Sequence, residues 1–366
     1  MTRESLELLA REAGFDAVGI APAVRAPHAE AFHRWLGEGC HATMDWLARD
    51  PERRCDPRQV LEGARSVIAL AMNYYVPEAP PERGAVSEAP PERGAVRGTI
   101  ARYARGRDYH NLIAKRLRRL DLRLREAGGR QRCFVDSGPV LERDFAVLAG
   151  LSWHGKSTLA LHPKLGTWFF LAAILTTLDL EPGLPMPDRC GKCTRCIDAC
   201  PTGAIVAPYK LDARRCIAYW TIEHEGPLPA WLRPLLGSRI FGCDDCLDAC
   251  PWNRFAAASR EADFAARPAS RLPLRDYLGL TDEAFRRTFE GSPIRRAGRQ
   301  GFLRNVCTAL GNVGECGDIP ALEQAAADDD AIVAEHAVWA LERLRGGGSA
   351  HRAPEKMGWL NPVREG

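Results

Sequence analysis

The chain has 366 residues, 46% of them hydrophobic and 27% charged, with a net charge of +3. That composition fits two or three globular domains with a substantial core, and the small net charge selects no class of partner. No apolar run reaches the roughly 18 residues that span a bilayer; Trp168–Leu180 is too short, and Met-Thr-Arg-Glu-Ser opens an amphipathic pattern rather than a signal core, so the sequence predicts a cytoplasmic protein without membrane contact.

Residues 2–13 read as a helix with Leu6, Leu9 and Ala10 on one face, followed by a strand over 15–20. Residues 28–49 read as helical, with Trp35, Leu36, Met44, Trp46 and Leu47 as candidate core. Arg65–Tyr75 carries the unbroken apolar run of a buried strand. After it, PEAPPERGAV is followed by the near copy SEAPPERGAV, a Pro- and Glu-rich duplication near 77–96 with no hydrophobic period, which reads as a mobile surface insertion.

A helix over about 109–126 has Leu112, Ile113, Leu117, Leu120 and Leu124 as its apolar face. Lys115, Arg116, Arg118, Arg119, Arg123 and Arg125 crowd the remainder, either as a solvated face or as a contact surface for a polyanion. A strand over 131–135 runs into Asp136-Ser-Gly-Pro, which is good turn chemistry. A helix over 141–151 and strands over 157–162 and 167–177 complete an α/β or α+β unit of around 180 residues. Glu142 and Arg143 read equally as a surface ion pair or as site residues, and His154 and His162 as satisfied histidines.

The Pro-rich stretch from Glu181 leads into Cys190-Gly-Lys-Cys193-Thr-Arg-Cys196-Ile-Asp-Ala-Cys200-Pro201, the C-x2-C-x2-C-x3-C-P spacing of a 4Fe-4S ferredoxin. Cys243-Asp-Asp-Cys246-Leu-Asp-Ala-Cys250-Pro251 repeats that pattern without its first cysteine, which Cys216 can supply. Eight thiolates suffice for two clusters. Because the cysteine before the proline ligates the other cluster in two-cluster ferredoxins, Cys190, Cys193, Cys196 and Cys250 would hold one cluster, and Cys200, Cys216, Cys243 and Cys246 the second. A zinc site would use only four of these thiolates. A disulfide framework fits poorly with 13 cysteines in a long chain. Cys40, Cys55, Cys133, Cys307 and Cys316 are scattered and read as buried small apolar residues.

Residues 295–345 read as short paired helices of the type that stack in HEAT-like repeats, and the Gly-Gly-Gly-Ser stretch opens a disordered tail. The expected division is an α+β unit over 1–183, a double-cluster unit over 184–258, a helical repeat over 259–345 and a tail over 346–366.

In order, the chain carries Arg53-Arg54-Cys-Asp-Pro, Tyr103-Ala-Arg-Gly-Arg-Asp-Tyr-His110, Val135-Asp136-Ser-Gly-Pro-Val-Leu-Glu142-Arg143, Trp153-His-Gly155-Lys156 and Gly166-Thr-Trp-Phe-Phe-Leu, then the double cluster motif and the helical repeat. In this combination, over roughly residues 1–345, the chain resembles the epoxyqueuosine reductases, which complete queuosine at the tRNA wobble position. The resemblance implies an α+β fold with a nitroreductase-like N-terminal domain holding cobalamin, a ferredoxin-like domain with two 4Fe-4S clusters, and a C-terminal HEAT-like repeat. It implies Asp136 as general acid and cobalamin contacts at Arg54, Ala101, Asp136, Ala160 and Leu171, several through backbone atoms. The implied partners are the anticodon stem-loop of tRNAs carrying epoxyqueuosine and an external low-potential electron donor, with the chain acting as a monomer. Two features depart from the pattern: Ser157 stands where an Asn is expected after Lys156, and the duplicated segment is extra.

Leaving an alkene from an epoxide takes two electrons and two protons, and iron-sulfur clusters reach potentials down to about −700 mV. A reduced corrinoid suits the step at carbon. A carboxylic acid protonates the leaving oxygen only with a raised pKa, which burial of Asp136 would provide. Asp108-Tyr-His110 superficially matches a cobalamin signature, but Ile113 stands where that signature needs Gly, so His110 is not nominated as a cobalt ligand. For tRNA, the basic candidates are Arg102, Arg105, Arg107, the 115–125 helix, Lys210, Arg214, Arg215, Arg295, Arg296, Arg299 and Arg304. A corrinoid reductive dehalogenase and a non-catalytic electron-transfer protein remain as alternatives. The first usually carries an export signal and has no use for a basic repeat; the second leaves Asp136 and the N-terminal unit unexplained.

Overall fold

A computed structural model describes residues 1–77 and 96–346, so most of the duplicated segment and the tail from 347 lie outside the described residues. The N-terminal part is a four-stranded sheet in the order Ala17–Pro22, Ser66–Asn73, Phe169–Thr176, Gln131–Phe134, with every neighbouring pair antiparallel. Ser66–Asn73 is buried throughout, as its continuous apolar run requires of a central strand covered on both faces.

The two faces have separate cores. Ile68, Leu70 and Met72 meet Leu6, Ala10, Ile113, Leu117, Leu120 and Leu124, from the helices Arg3–Glu12 and Tyr109–Glu126. Val67, Ala69 and Ala71 meet Val60, Leu61, Phe145, Ala146 and Ala149, around the helix Glu142–Leu148. The small residues on this second face let that helix approach closely, which places its first turn beside the end of Gln131–Phe134.

The continuous helix expected over 28–49 is not formed. Ala29–Gly37 is helical, Gly39 and Ala42 then take positive φ, and only a short turn at Asp45–Leu47 follows. None of the five proposed core residues there is buried, and Trp46 is exposed. Among the lone cysteines, Cys40, Cys55 and Cys307 are buried as expected; Cys133 is half-buried and Cys316 exposed.

The cluster segment and the C-terminal helices pack as one body with part of the N-terminal chain. Thr99–Ile100 pairs in parallel with Arg239–Phe241, and Ile100 and Ala104 join a core with Ile240, Phe241, Phe302 and Leu310. The C-terminal helices are Gly298–Val313, Ile319–Ala325 and Ala331–Arg345. Among the described residues no helix is long and apolar enough to cross a membrane.

Arg304 is the unusual member of this core, being 1% exposed. Its guanidinium donates to the carbonyls of Trp220, His224 and Gly226 and to Asn305 Oδ1. Burial pushes its pKa down to about 10. The five-donor fork is thus spent on tying the helix Gly298–Val313 to the chain just after Cys216. Arg304→Leu leaves these acceptors unpaired, at about 1–3 kcal/mol for each one not reached by water. Urea unfolding of the variant should show a loss of about 3 kcal/mol or more, and Arg304→Lys, without the fork, should rescue only part of it; wild-type stability of Arg304→Leu would refute this.

Candidate active site

Asp136 lies just past the strand Gln131–Phe134, in the left-handed region at φ 58°, a conformation that Asp tolerates better than most side chains. Its Oδ2 accepts the Tyr109 hydroxyl at 2.6 Å and faces His110 Nε2 at 3.7 Å. Both partners come from the first turn of Tyr109–Glu126, whose cap, Asp108, accepts the His110 backbone N–H and holds His110 Nδ1 at 2.8 Å. Tyr109 stacks on Phe170 at 4.0 Å and on the His110 ring at 4.1 Å, which fixes the direction of its hydroxyl.

The electrostatics reverse the expectation for Asp136. The neighbouring His110, with help from the Tyr109 hydroxyl, outweighs partial desolvation and pulls its carboxyl down to about 2. Burial disfavours the His110 cation, but Asp108 and Asp136 outweigh it and raise the ring to about 9. At neutral pH the proton of this pair therefore rests on the imidazole. The Asp136 side chain is 63% exposed, so its carboxylate faces open space rather than a closed apolar wall.

Glu142 is the group with the raised pKa. Burial, and then the charge of Asp136, push it up to about 8, and its Oε1 is buried without a partner. Glu142 and Arg143 do not form the surface ion pair considered from sequence: Arg143 instead donates to the Thr158 carbonyl at 3.0 Å. Arg54 donates to the carbonyls of Gly138 and Trp46 and lies 5.3 Å from the Trp46 ring centroid, clamping the far side of the Asp136 turn. His154 bonds Asp144, and His162 Nδ1 accepts two backbone N–H groups, so both histidines are satisfied.

The other positions implied for cobalamin fall into two places. The Ala101 N–H donates to the Phe241 carbonyl and the Arg102 N–H to Asp244 Oδ2, so this segment lies along the Cys243–Cys246 loop. Tyr103 then contacts Tyr109 and Phe241 edge-on or tilted, linking that loop to the surroundings of Asp136. Ala160 and Leu171 pack with Phe134 and Leu141 as the partly exposed rim of the second core face. Phe169–Thr176 is buried except at Leu171, so the sheet face opens there. The partly exposed Ala160 and Leu171 and the unpartnered Glu142 Oε1 are compatible with a broad cofactor that has apolar faces and polar edges.

The eight motif cysteines are all free thiols. Burial pushes Cys250 up to about 11, and Cys190, Cys196 and Cys193 push the same way. Burial pushes Cys246 up strongly, followed by Cys243, Cys216 and Cys200. Each proline-preceding cysteine thus lies with the opposite half of the motif, Cys250 with the first run and Cys200 with the second. Thiols this crowded and desolvated ionise only beside a cation, which bound iron supplies. One tetrahedral zinc would need sulfurs about 3.8 Å apart, for Zn–S bonds of about 2.3 Å. A cavity of about 100 Å³ lies among Cys190, Cys193, Cys196, Cys246 and Cys250, walled by Gly155, Lys156 and Ser157. Ser157, where the resemblance implied an Asn, thus lines the cavity among these cysteines.

Several basic candidates are already engaged. Arg304 is internal, Arg299 is held by Asp328, Arg296 by Glu223, Arg214 by Asp212 and Lys210 by Glu38. Arg116 pairs with Glu261. Arg295, Lys115, Arg118 and Arg119 are exposed.

Residues 189–253 match the 4Fe-4S double cluster binding domain family, and residues 54–137 match the family described as Epoxyqueuosine reductase QueG, DUF1730. The chain is 44% identical to the epoxyqueuosine reductase of Xanthomonas campestris, over 92% of this chain and 94% of that one. It is 40% identical to that of Escherichia coli, over 90% and 86%. Among solved structures, an epoxyqueuosine reductase with an epoxyqueuosine-modified tRNA-Tyr stem loop superposes with a TM-score of 0.85 at 28% identity, covering 93% of this chain and 90% of that one. The Bacillus subtilis enzyme with a catalytic aspartate loop swung out of the active site superposes with a TM-score of 0.83, also at 28% identity and with the same coverage. With relatives above 40% identity aligned over nine-tenths of its length, this chain belongs to the epoxyqueuosine reductase family.

Proposed function

We propose that this protein reduces epoxyqueuosine to queuosine at wobble position 34 of tRNA, using cobalamin fed by two 4Fe-4S clusters. The observation that carries the reading is the full-length likeness to enzymes of that name, in a chain whose eight motif thiols gather as two sets of four. When bound, the clusters and the corrinoid supply low-potential electrons and a cobalt centre that acts at carbon. Cys190, Cys193, Cys196 and Cys250 would hold one cluster, and Cys200, Cys216, Cys243 and Cys246 the other. Arg54, Ala101, Asp136, Ala160 and Leu171 would line the corrinoid, with Arg54 keeping the Asp136 turn in place. An external low-potential donor, a cytoplasmic location and a monomeric state complete the proposal. So do a nitroreductase-like unit over 1–183, a ferredoxin-like unit over 184–258 and a HEAT-like repeat over 259–345.

Asp136 delivers the proton in this scheme, and the His110 partnership sets how. Asp136 stands ionised beside a protonated His110, so the pair carries one transferable proton and titrates as a unit. The leaving oxygen, arriving at the exposed carboxylate, draws one proton from His110 through Asp136, and solvent supplies the second, so that the oxygen departs as water. Tyr109 holds the carboxylate oriented throughout. The aspartate loop of the Bacillus subtilis relative supports a mobile acid at this turn.

Anaerobic incubation with tRNA carrying epoxyqueuosine, cobalamin and a low-potential reductant should yield queuosine by nucleoside mass spectrometry; no conversion by cluster-loaded protein would refute the reading. Cys246→Ala should lower iron from about eight to about four atoms per chain, whereas Cys307→Ala should keep the full complement. Loss of iron from both variants alike would remove the ligand assignment.

Asp136→Asn should lower turnover by about 100-fold or more with cluster absorbance unchanged. Since His110 loses its proton as pH rises through about 9, the wild-type rate should fall across that range. His110→Gln should shift the fall to lower pH, because Asp136 must then hold the proton alone. A pH profile identical in the two proteins would exclude the shared-proton arrangement.

A further inference from the structure

His28, Asp144 and His154 converge from three separate segments, none of them part of the cysteine motifs. His28 immediately precedes the helix Ala29–Gly37, Asp144 lies in the first turn of Glu142–Leu148, and His154 ends the short strand Trp153–His154. Asp144 Oδ1 lies 2.9 Å from His28 Nδ1 and 2.8 Å from His154 Nε2. Its other oxygen accepts the His28 backbone N–H at 2.9 Å, which leaves Oδ1 aimed at the two rings. The three ligand atoms lie within 4.8 Å of one another, and the rings meet edge to face with centroids 4.8 Å apart.

We propose that these three side chains form a binding site for a divalent transition cation of the zinc class. Two imidazoles with one carboxylate suit zinc, cobalt or nickel, whereas magnesium and calcium favour oxygen ligands. Three protein ligands leave a fourth position for water. Exposure is graded to match: Asp144 is 4% exposed, His154 23% and His28 59%, so His28 forms the open side through which an ion enters. The backbone N–H on the second carboxylate oxygen orients the ligand, as hydrogen bonds behind metal-bound carboxylates commonly do. The two His–Asp separations of 2.8–2.9 Å are a few tenths of an ångström below the edge of a tetrahedron with bonds of about 2.0 Å, so a bound ion requires the rings to turn away from Asp144 Oδ1.

The placement gives the site a structural role in the enzyme. Asp144 follows Glu142 by two residues, and Gly155, Lys156 and Ser157, which wall the cavity at the first cysteine set, follow His154 directly. A cation here fastens the segment after the Asp136 turn to the hairpin covering that cavity, and both to the start of the helix Ala29–Gly37.

The test uses the holoprotein with its clusters assembled, so that the cysteines are occupied. After anaerobic incubation with Zn2+ and desalting, the wild type should retain about one zinc per chain by elemental analysis. Asp144→Asn and His28→Ala/His154→Ala should retain none. Zinc K-edge absorption should show only nitrogen and oxygen neighbours at about 2.0 Å, and Zn2+ should raise the thermal midpoint of the wild type alone. The single variant His28→Ala alters an exposed side chain and keeps the comparison valid if the others fold poorly; it should weaken zinc binding at least tenfold. No zinc in the wild type, equal zinc in wild type and variants, or sulfur neighbours at about 2.3 Å would each overturn the proposal and leave a hydrogen-bonded His-Asp-His cluster.

Discussion

The contact on which the site depends is the short parallel pairing of Thr99–Ile100 with Arg239–Phe241. Parallel strands cannot be joined by a tight turn, so this pairing brings together stretches about 140 residues apart in the chain. It is held mainly by burial: Ile100, Ile240 and Phe241 are at most 2% exposed. Two glycines allow the close approach. A Cβ on Gly242, whose φ is +71°, would lie 2.6 Å from the Ala101 Cβ, and one on Gly98 would lie 2.7–2.8 Å from Leu274 and Ile240 side chains. Through this contact Ala101 and Arg102 bond the loop bearing Cys243 and Cys246, while Tyr103, one residue further on, reaches Tyr109. The loop bearing Cys243 and Cys246 and the surroundings of Asp136 are therefore registered by main-chain N–H groups as well as by a ring contact.

Three acids beside one another are pushed to different protonation states by their surroundings. Asp136 is kept ionised by donors, Glu142 is kept neutral by burial and by the Asp136 charge, and Asp108 is held below its ordinary value by His110, which outweighs its burial. Separation of this kind is the usual means by which one site provides both a proton and a base at neutral pH. For stability the signs are fixed. The His110 contribution is full below about 6.5 and is lost as pH rises through about 9, while the Asp136 contribution is lost as pH falls from 3.8 through about 2. The ion pair is thus intact across the whole neutral range, and opening it takes a ligand that offers Asp136 another partner.

Much of the frame was legible because local pattern and tertiary demand coincide. The helix over 109–126 has the predicted limits, and the strand within 65–75 is as buried as its composition implies. Where they diverge, the sequence misleads. The 28–49 stretch has enough apolar residues for a helix, but positive φ at Gly39 and Ala42 stops it, leaving Phe32 and Trp35 half-buried and Trp46 exposed. For Asp136 the turn was readable, but its partners were not. Asp108-Tyr109-His110 draws notice as a possible cobalt signature, whereas its place beside Asp136 depends on the approach of segments 26 residues apart. Glu142 likewise looks like a surface residue until the helix carrying it is packed against the sheet.

Counting arginines overstates the surface available to a polyanion. The cluster Arg295–Arg304 looks like one continuous basic stretch, yet helix geometry and packing divide it. Arg304 points into the core, and Arg299, 16% exposed in its side chain, is neutralised by Asp328. Arg296 is bonded to Glu223, which leaves Arg295 as an exposed cation at the start of the C-terminal helices. On the long helix the division is milder: Arg123 and Arg125 pair with acids on their own helix, while Lys115, Arg118 and Arg119 are exposed. Solvent-exposed pairs contribute little stability and exchange partners readily, so Arg123 and Arg125 can still turn to phosphates. Arg299 and Arg304 cannot do so without unfolding the core they hold, whereas Arg295 and the partly exposed Arg296 stay accessible at the start of the C-terminal helices.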